Sequence, residues 1–176
     1  MSARISVIIP VHNGARYLAE TIKSVHAQTR KADELWVIDD GSTDESTAIA
    51  ATLVPPGCVV PQARSGAASA LNAGLARATG DLVAFLDHDD LWTPDKLDQQ
   101  SRAIEGDPTC DAAFGLIQQF LSPDVAPEQG ATVHVPPGPQ VGICATTMLI
   151  RRAAFDRVGA FTGGRDAHAF MEWFVR

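Results

Sequence analysis

The sequence has few cysteines, no long apolar run and a shortage of positive charge, and each shortage excludes a class of protein. Its three cysteines, Cys58, Cys110 and Cys144, include no C-x-x-C pair, so we expect neither a disulfide framework nor a zinc site. No apolar run approaches the roughly 18 residues that a membrane-spanning helix needs, and residues 1–4 have too little positive charge for a secretory signal. The expected location is therefore the cytoplasm.

Acidic residues outnumber basic residues by 21 to 14, which gives a net charge of −7. A negative chain repels a phosphate backbone, so nucleic acid is not an expected partner. A receiver domain that is phosphorylated on aspartate needs a lysine at a later strand end, and none of Lys23, Lys31 and Lys96 has that position.

Several familiar motifs are also missing. There is no G-x-G-x-x-G after the first apolar run and no G-x-x-x-x-G-K-[ST], which argues against dinucleotide dehydrogenases and P-loop ATPases. A G-x-S-x-G elbow is absent as well, which argues against acyl-transfer hydrolases.

What the sequence does have is the pattern of an α/β protein. Its 176 residues are 45% hydrophobic, which predicts a single globular domain, residues 1–176. Three short and almost wholly apolar runs, at residues 5–11, 35–38 and 82–86, predict strands that are buried on both faces. Apolar residues at helical spacing lie between them. We therefore predict an open, doubly wound and mostly parallel sheet with helices on both faces.

Two helix starts follow strands closely. Ser42 and Glu45 have the spacing of a capping box, and Thr93 before Pro94 has the pattern of an N-cap followed by an N1 proline.

After Pro108 the pattern predicts two further strands, at 110–121 and 141–150, separated by a long surface loop at 122–142. Helices are predicted at 151–158 and from residue 170 to the end of the sequence.

Polar clusters follow each of the three apolar runs. Ligands of open α/β sheets bind outside the carboxyl ends of the strands, so these clusters predict a binding site. Five carboxylates are expected at this edge, those of Asp39, Asp40, Asp87, Asp89 and Asp90. Such crowding is electrostatically costly unless a cation compensates it.

A divalent metal ion is the simplest compensation. Asp87 and Asp89 are two residues apart in a segment predicted to be extended, so their side chains would point the same way and share Mg²⁺ or Mn²⁺. One acidic strand end alone is commonly only a helix cap or a solvated turn. Three such clusters on neighbouring strands favour a site for a nucleotide and a metal.

Three other polar residues at this edge have two interpretations each. His88 should point away from the aspartates, as a loop histidine does more often than a metal ligand. His12 either lies flat against a nucleobase or is a plain turn histidine. Arg64 either faces a diphosphate or is a solvated loop arginine.

Six motifs follow one another over most of the first hundred residues: SVIIPVHN at 6–13, the helix at 17–29, DDGSTD at 39–44, NAG at 72–74, ATGD at 78–81 and FLDHDDLW at 85–92. In sequence and in order they resemble the motifs of the family 2 glycosyltransferases of the GT-A fold.

The resemblance implies a nucleotide-diphosphate sugar donor, most often a UDP-sugar, and a metal-dependent, inverting transfer to a hydroxyl of a glycan, a lipid-linked or a small-molecule acceptor. It divides the chain into a donor-binding half, 1–107, and an acceptor-side half, 108–176. It also assigns site residues by motif position: the nucleoside pocket to Pro10, His12 and Asn13, the base contact to Asp39 or Asp40, the ribose and metal to Asp87, and the metal to Asp89.

The catalytic base departs from the family pattern. The acidic pair that usually supplies it falls on Ala169 and Phe170, and neither can take a proton. Glu172 is the candidate replacement, followed by Asp166 and His168, although Glu172 is equally an ordinary helix-surface acid.

The chain also ends inside its last predicted helix, short of the family's usual C-terminal part. Two hypotheses stay open. One is an active glycosyltransferase, cytosolic or peripheral to the inner face of a membrane. The other is an inert domain that binds nucleotide sugar or serves as a scaffold.

Overall fold

A computed structural model describes residues 2–123, 125, 134–162 and 169–176. Its central sheet has six strands: β1 (Ile5–Val11), β2 (Glu34–Asp40), β3 (Val59–Gln62), β4 (Leu82–Phe85), β5 (Ala112–Phe114) and β8 (Met148–Arg151). The strand order is β3-β2-β1-β4-β8-β5. Strands β1 to β4 are parallel, and β8 is antiparallel to β4 and β5. The predicted mostly parallel sheet is confirmed.

Helices cover both faces of this sheet, as predicted. The residues of β1 alternate between two apolar clusters, so Val7 and Ile9 pack with one set of helices and Ile8 with the other. The first set is α1 (Leu18–His26), α2 (Ser46–Leu53) and α4 (Lys96–Gly106), and the second is α3 (Ala67–Leu75), α5 (Arg152–Val158) and α6 (Ala169–Phe174). None of these helices has the length and apolarity to cross a bilayer, within the ranges that the structure describes.

A glycine lets α3 approach the sheet closely. Gly74 lies over β1, and a Cβ atom there would be 2.4 Å from Ile8 Cγ2 and 3.1 Å from Ile8 Cγ1. Because Ile8 is fully buried in the strand, its side chain has little room to move.

Both predicted helix caps are wrong. Helix α2 begins at Ser46, and Asp44 Oδ1 accepts the backbone N–H of Ser46 at 3.0 Å. The Ser42 hydroxyl instead accepts the N–H of Asn13 at 3.0 Å, so it joins two loops rather than capping a helix. Helix α4 begins at Lys96, after Asp95, and has no side-chain cap.

The strands predicted after Pro108 are shorter than expected. Residues 110–121 contain β5 and the two-residue strand β6 (Leu116–Ile117), divided at Gly115, whose N–H donates to Thr147 O at 3.0 Å. Residues 141–150 contain the end of β7 (Gln140–Val141), a 3₁₀ helix (Ala145–Thr147) and most of β8. The predicted loop at 122–142 is described only in part, and its last residues form β7, which pairs with β6.

Strand β3 is absent from the predicted elements. It has four residues, includes Pro61 and is only half-buried at the edge of the sheet, where a missing N–H is tolerated. Because of these features, β3 does not stand out in the sequence as a long apolar run.

Candidate functional site

The sheet order brings the three polar clusters to one edge. Strand β1 lies between β2 and β4, and Val11 pairs with Asp39 at the carboxyl ends of β1 and β2. Strand β1 pairs with β4 only as far as Ile8, so the buried Pro10 removes no ladder hydrogen bond on that side. The predicted neighbourhood of the three strands is therefore present.

The loop after β1 is tied to the loop after β2. Asn13 Oδ1 accepts the N–H of Thr43 at 2.8 Å, and Asn13 has a positive φ of 53°. His12 Nδ1 lies 3.1 Å from Asp40 O, and Asn13 Nδ2 lies 3.3 Å from His12 Nε2. Donation from Nδ1 and acceptance at Nε2 satisfy both contacts, so one tautomer and one ring orientation of His12 are favoured.

Asp39 and Asp40 are both about 3% exposed, and donors surround both carboxylates. Asp39 Oδ1 accepts the N–H of Ser42 at 2.9 Å, and its Oδ2 accepts the Thr47 hydroxyl. Asp40 accepts three hydrogen bonds and so holds the segment between β3 and α3 in place. Its donors are Gln62 Nε2 at 2.7 Å, Ser65 N at 2.7 Å and Gly66 N at 2.8 Å.

The environment of Asp40 favours its charged form. Burial acts to raise the pKa of Asp40, but the hydrogen bonds and the nearby guanidinium of Arg64 outweigh it and lower that pKa. The Arg64 Nη1 atom lies 3.8 Å from Asp40 Oδ2, and the arginine side chain is 43% exposed. Arg64 therefore lies at the predicted edge, in a loose ion pair with an acid of that edge.

The acidic segment after β4 is a turn and not an extended strand. Asp90 N donates to Asp87 O at 3.1 Å, and the Thr21 hydroxyl holds the turn by donating to His88 O at 2.8 Å. The prediction that alternation makes Asp87 and Asp89 point the same way is therefore wrong.

The carboxylates of this turn nevertheless crowd one another. Loss of solvation in the crevice, together with the charges of Asp90 and Asp89, raises the pKa of Asp87 to about 6, although His88 acts in the opposite direction. The pKa of Asp90 is raised as well, chiefly by burial. The pKa of Asp40 is therefore lowered, whereas the pKa values of Asp87 and Asp90 are raised.

His88 has a structural contact that sequence reasoning missed. A Cβ atom at Gly14 would lie 2.3 Å from His88 Cδ2, so the imidazole packs directly against that glycine. The contact joins the loop after β1 to the acidic turn. An H-N-G sequence after a strand gives no signal for this contact, because the two residues meet only in the folded sheet.

The acidic turn is suited to a divalent cation whose remaining coordination positions are filled by a bound ligand. No group of three His, Cys, Asp or Glu side chains is arranged to hold a metal in the part of the chain that the structure describes. Within the same ranges no Lys or Arg forms an ion pair with Asp87, Asp89 or Asp90. Hard cations such as Mg²⁺ take a few carboxylates and fill the remaining positions with water and phosphate oxygens.

The residues considered for the catalytic base lie in different environments. Phe170 is buried and stacks on Trp173, with ring centroids 6.2 Å apart, so this position contributes to the core. Glu172 lies on the exposed side of α6 and makes no hydrogen bond or ion pair with a described residue. The structure does not join it to the acidic turn by a hydrogen bond. Asp166 and His168 lie outside the described residues.

Comparison with known proteins identifies the family. The family model described as glycosyl transferase family 2 matches residues 6–159. An uncharacterized glycosyltransferase of Rickettsia typhi is 32% identical over 98% of this chain and 58% of its own length. The chain thus spans little more than half the length of this curated relative.

Solved structures agree on the fold. The mannosyltransferase PcManGT of Pyrobaculum calidifontis, in complex with GDP-Man and Mn²⁺, has a TM-score of 0.68 at 24% identity, over 96% of this chain and 51% of that protein. TarS 1-349 of S. aureus, in complex with UDP-GlcNAc, has a TM-score of 0.69 at 21% identity, over 92% of this chain and 49% of that protein. The chain therefore belongs to glycosyl transferase family 2 and has the GT-A fold of its structural neighbours.

Proposed function

We propose that the carboxyl edge of β1, β2 and β4 binds a nucleotide-diphosphate sugar and that the protein transfers the sugar, with inversion, to an acceptor hydroxyl. The observation that carries this proposal is the meeting of three polar loops at one sheet edge in a chain of this family, one of them a turn of crowded carboxylates. Residues 1–107 would form the donor half and residues 108–176 the acceptor side.

The nucleoside would lie against the loop after β1. Pro10, His12 and Asn13 belong to this loop or the strand before it. Asp40 O at the end of β2 orients the His12 ring, and the N–H of Thr43 donates to Asn13 Oδ1 and orients the amide. A pocket that is rigid before the ligand binds loses less entropy on binding.

Of the two buried acids, Asp39 is the better candidate for the base contact. A carboxylate has about four acceptor positions. Asp39 uses two of them, on Ser42 N and Thr47 Oγ1, whereas Asp40 uses three. Asp40 would act mainly through the loop that it holds.

Asp87 and Asp89 would hold Mn²⁺ or Mg²⁺, with the donor's diphosphate supplying further oxygens. Such an ion stabilises the negative charge that develops on the departing diphosphate. Loss of solvation and the charges of Asp90 and Asp89 raise the pKa of Asp87, and a bound cation would counteract both by favouring the charged form. Asp87 would also lie near the ribose.

UDP is the nucleotide that we propose, because the family pattern in this chain most often accompanies UDP-sugars. The two structural neighbours differ, since TarS is complexed with UDP-GlcNAc and PcManGT with GDP-Man. Calorimetric titration of UDP and of GDP, each with Mn²⁺ and with EDTA, shows which of the two nucleotides this protein binds more tightly. We expect UDP to bind at least about tenfold more tightly than GDP when Mn²⁺ is present. Tighter binding of GDP would contradict the choice of UDP.

Glu172 is proposed to accept the proton of the attacking hydroxyl. Its carboxylate is exposed and has no partner among the described residues, so it is available to a bound acceptor. Glu172→Gln should reduce turnover at least about 100-fold while leaving UDP binding unchanged. Glu20→Gln, which changes an exposed glutamate on α1, is the matched control. Unchanged turnover of Glu172→Gln would remove Glu172 from the mechanism, and absence of turnover in the native chain despite UDP binding would favour an inert donor-binding domain.

A further inference from the structure

A large cavity adjoins the acidic turn on the side away from β2. Its volume is about 730 Å³, and it lies between α4 on one side and β5 and β6 on the other. Asp90 lines it, next to the proposed metal ligand Asp89. A molecule in the cavity would therefore lie beside the donor's diphosphate.

Most of the wall of this cavity is apolar. Leu91, Leu116 and Phe120 line it, and they are 46%, 64% and 60% exposed. Phe114 and Ile117 add further apolar surface. Exposed apolar side chains grouped around one concave site mark a place where an apolar ligand is bound.

The polar part of the wall includes one lysine, Lys96. The Lys96 ammonium lies 4.2 Å from the centre of the Trp92 ring and donates to Gln100 Oε1 at 2.7 Å. Gln100 is itself fixed, because its Nε2 donates to Thr147 O at 2.7 Å. The ammonium has three N–H donors, so this arrangement leaves one for a ligand.

Asp90 and Asp95 also line the cavity, but none of the ion pairs among the described residues includes Lys96. Loss of solvation lowers the pKa of Lys96 to about 7, which means that the cavity disfavours the ammonium as it stands. An anion placed beside it would reverse that effect.

We propose that this cavity is the acceptor subsite and that it takes an amphipathic anion, whose apolar part lies on Leu116 and Phe120 and whose phosphate or carboxylate pairs with Lys96. The role as acceptor subsite rests on the proposed transferase function. The binding chemistry rests on the cavity alone and can be tested without the donor.

Three soluble probes separate the two parts of the ligand: octyl phosphate, octanol and inorganic phosphate. Calorimetric titration should show octyl phosphate binding at least about tenfold more tightly than either of the other two. Lys96→Met should weaken the binding of octyl phosphate about tenfold, and Lys96→Arg should restore most of the lost affinity. Lys23→Met, at an exposed lysine of α1, should leave the binding of octyl phosphate unchanged. Cosedimentation with phosphatidylcholine vesicles, with and without phosphatidic acid, distinguishes a membrane lipid from a soluble amphiphile as the source of the same chemistry.

Equal binding of octyl phosphate by the native chain and by Lys96→Met would overturn the proposal, as would octyl phosphate binding no more tightly than octanol. Titration of UDP with Mn²⁺ on the same proteins separates this proposal from the donor site. UDP binding without octyl phosphate binding overturns the cavity proposal alone. Octyl phosphate binding without binding of UDP or GDP overturns the donor site and, with it, the acceptor role.

Discussion

Individual carboxylates of this protein lie in two kinds of environment. Asp40 and Glu34 accept several hydrogen bonds, and their pKa values are lowered although burial alone would raise them. Asp87 and Asp90 are exposed as whole residues, but their carboxyl groups lose part of their solvation and lie close to other acids, which raises their pKa values. Acids of the first kind stabilise the fold, whereas acids of the second kind destabilise it and are therefore candidates for function.

Glu34 should make stability depend on pH. Its carboxylate accepts Thr79 N at 2.8 Å and the hydroxyls of Thr79 and Ser6. Burial acts to raise the pKa of Glu34, but these hydrogen bonds outweigh it and lower the pKa from 4.5 to about 2. A lowered pKa in the folded state contributes stability that is complete above pH 4.5 and is lost as the pH falls toward 2.

We therefore expect Glu34→Gln to lower the free energy of unfolding by about 2 kcal/mol at pH 7. The difference from the native chain should shrink as the pH falls from 4.5 toward 2. Urea denaturation at a series of pH values measures both the difference in the free energy of unfolding at pH 7 and its change with pH. A difference that is constant across that range would contradict the assignment.

Substitutions at Asp40 and Asp90 should have opposite effects on stability. Asp40→Asn weakens the hydrogen bonds from Ser65 N and Gly66 N and should cost about 2 kcal/mol. Asp90→Asn removes one of the crowded charges of the acidic turn and should leave the melting temperature unchanged or raise it. Thermal denaturation of the two variants compares them directly, and a loss of stability in Asp90→Asn equal to that in Asp40→Asn would refute the distinction.

The packing of α3 on the sheet depends on Gly74. A methyl group there would lie 2.4 Å from Ile8 Cγ2, so Gly74→Ala should lower the free energy of unfolding by about 2 kcal/mol through overpacking. Gly106→Ala is the matched control, because a Cβ there meets nothing within 4 Å and alanine is the better helix former at the end of α4. Chemical denaturation should show a loss of stability in Gly74→Ala and no loss of stability in Gly106→Ala. Equal stability of the two would mean that the helix can shift away from β1 without cost.

At the scale of elements, the sequence predicts the buried strands well and the irregular ones poorly. β1, β2 and β4 are confirmed because an uninterrupted apolar run has no other stable position than a sheet covered on both faces. β3 is missed because an edge strand of four residues is only half-buried and contains a proline. The cap at Ser42 is wrong because its hydroxyl bonds to another loop, a contact that exists only in the folded chain. The cap at Thr93 is wrong because α4 begins later, at Lys96.

At the scale of the whole molecule, the α/β class, the neighbourhood of the three site-bearing strands and the family follow from the sequence and are confirmed. The roles of Pro10, His12, Asn13, Asp39, Asp40, Asp87, Asp89 and Glu172 stay predictions. The cavity beside Lys96 has no sequence signal, since it depends on how the consecutive elements α4, β5 and β6 pack in the folded chain. The meeting of polar strand ends at one sheet edge can be predicted from which strands are neighbours, but a cavity between a helix and two short strands cannot.

Calorimetric titration of UDP with and without Mn²⁺ tests the proposed donor site, which a metal ion at the acidic turn would complete. The native chain should bind UDP only when Mn²⁺ is present, and Asp89→Asn should weaken that binding at least about tenfold. Asp156→Asn, which changes an exposed aspartate of α5, is the control and should bind as the native chain does. UDP binding that is independent of Mn²⁺, or that is unchanged in Asp89→Asn, would contradict the account.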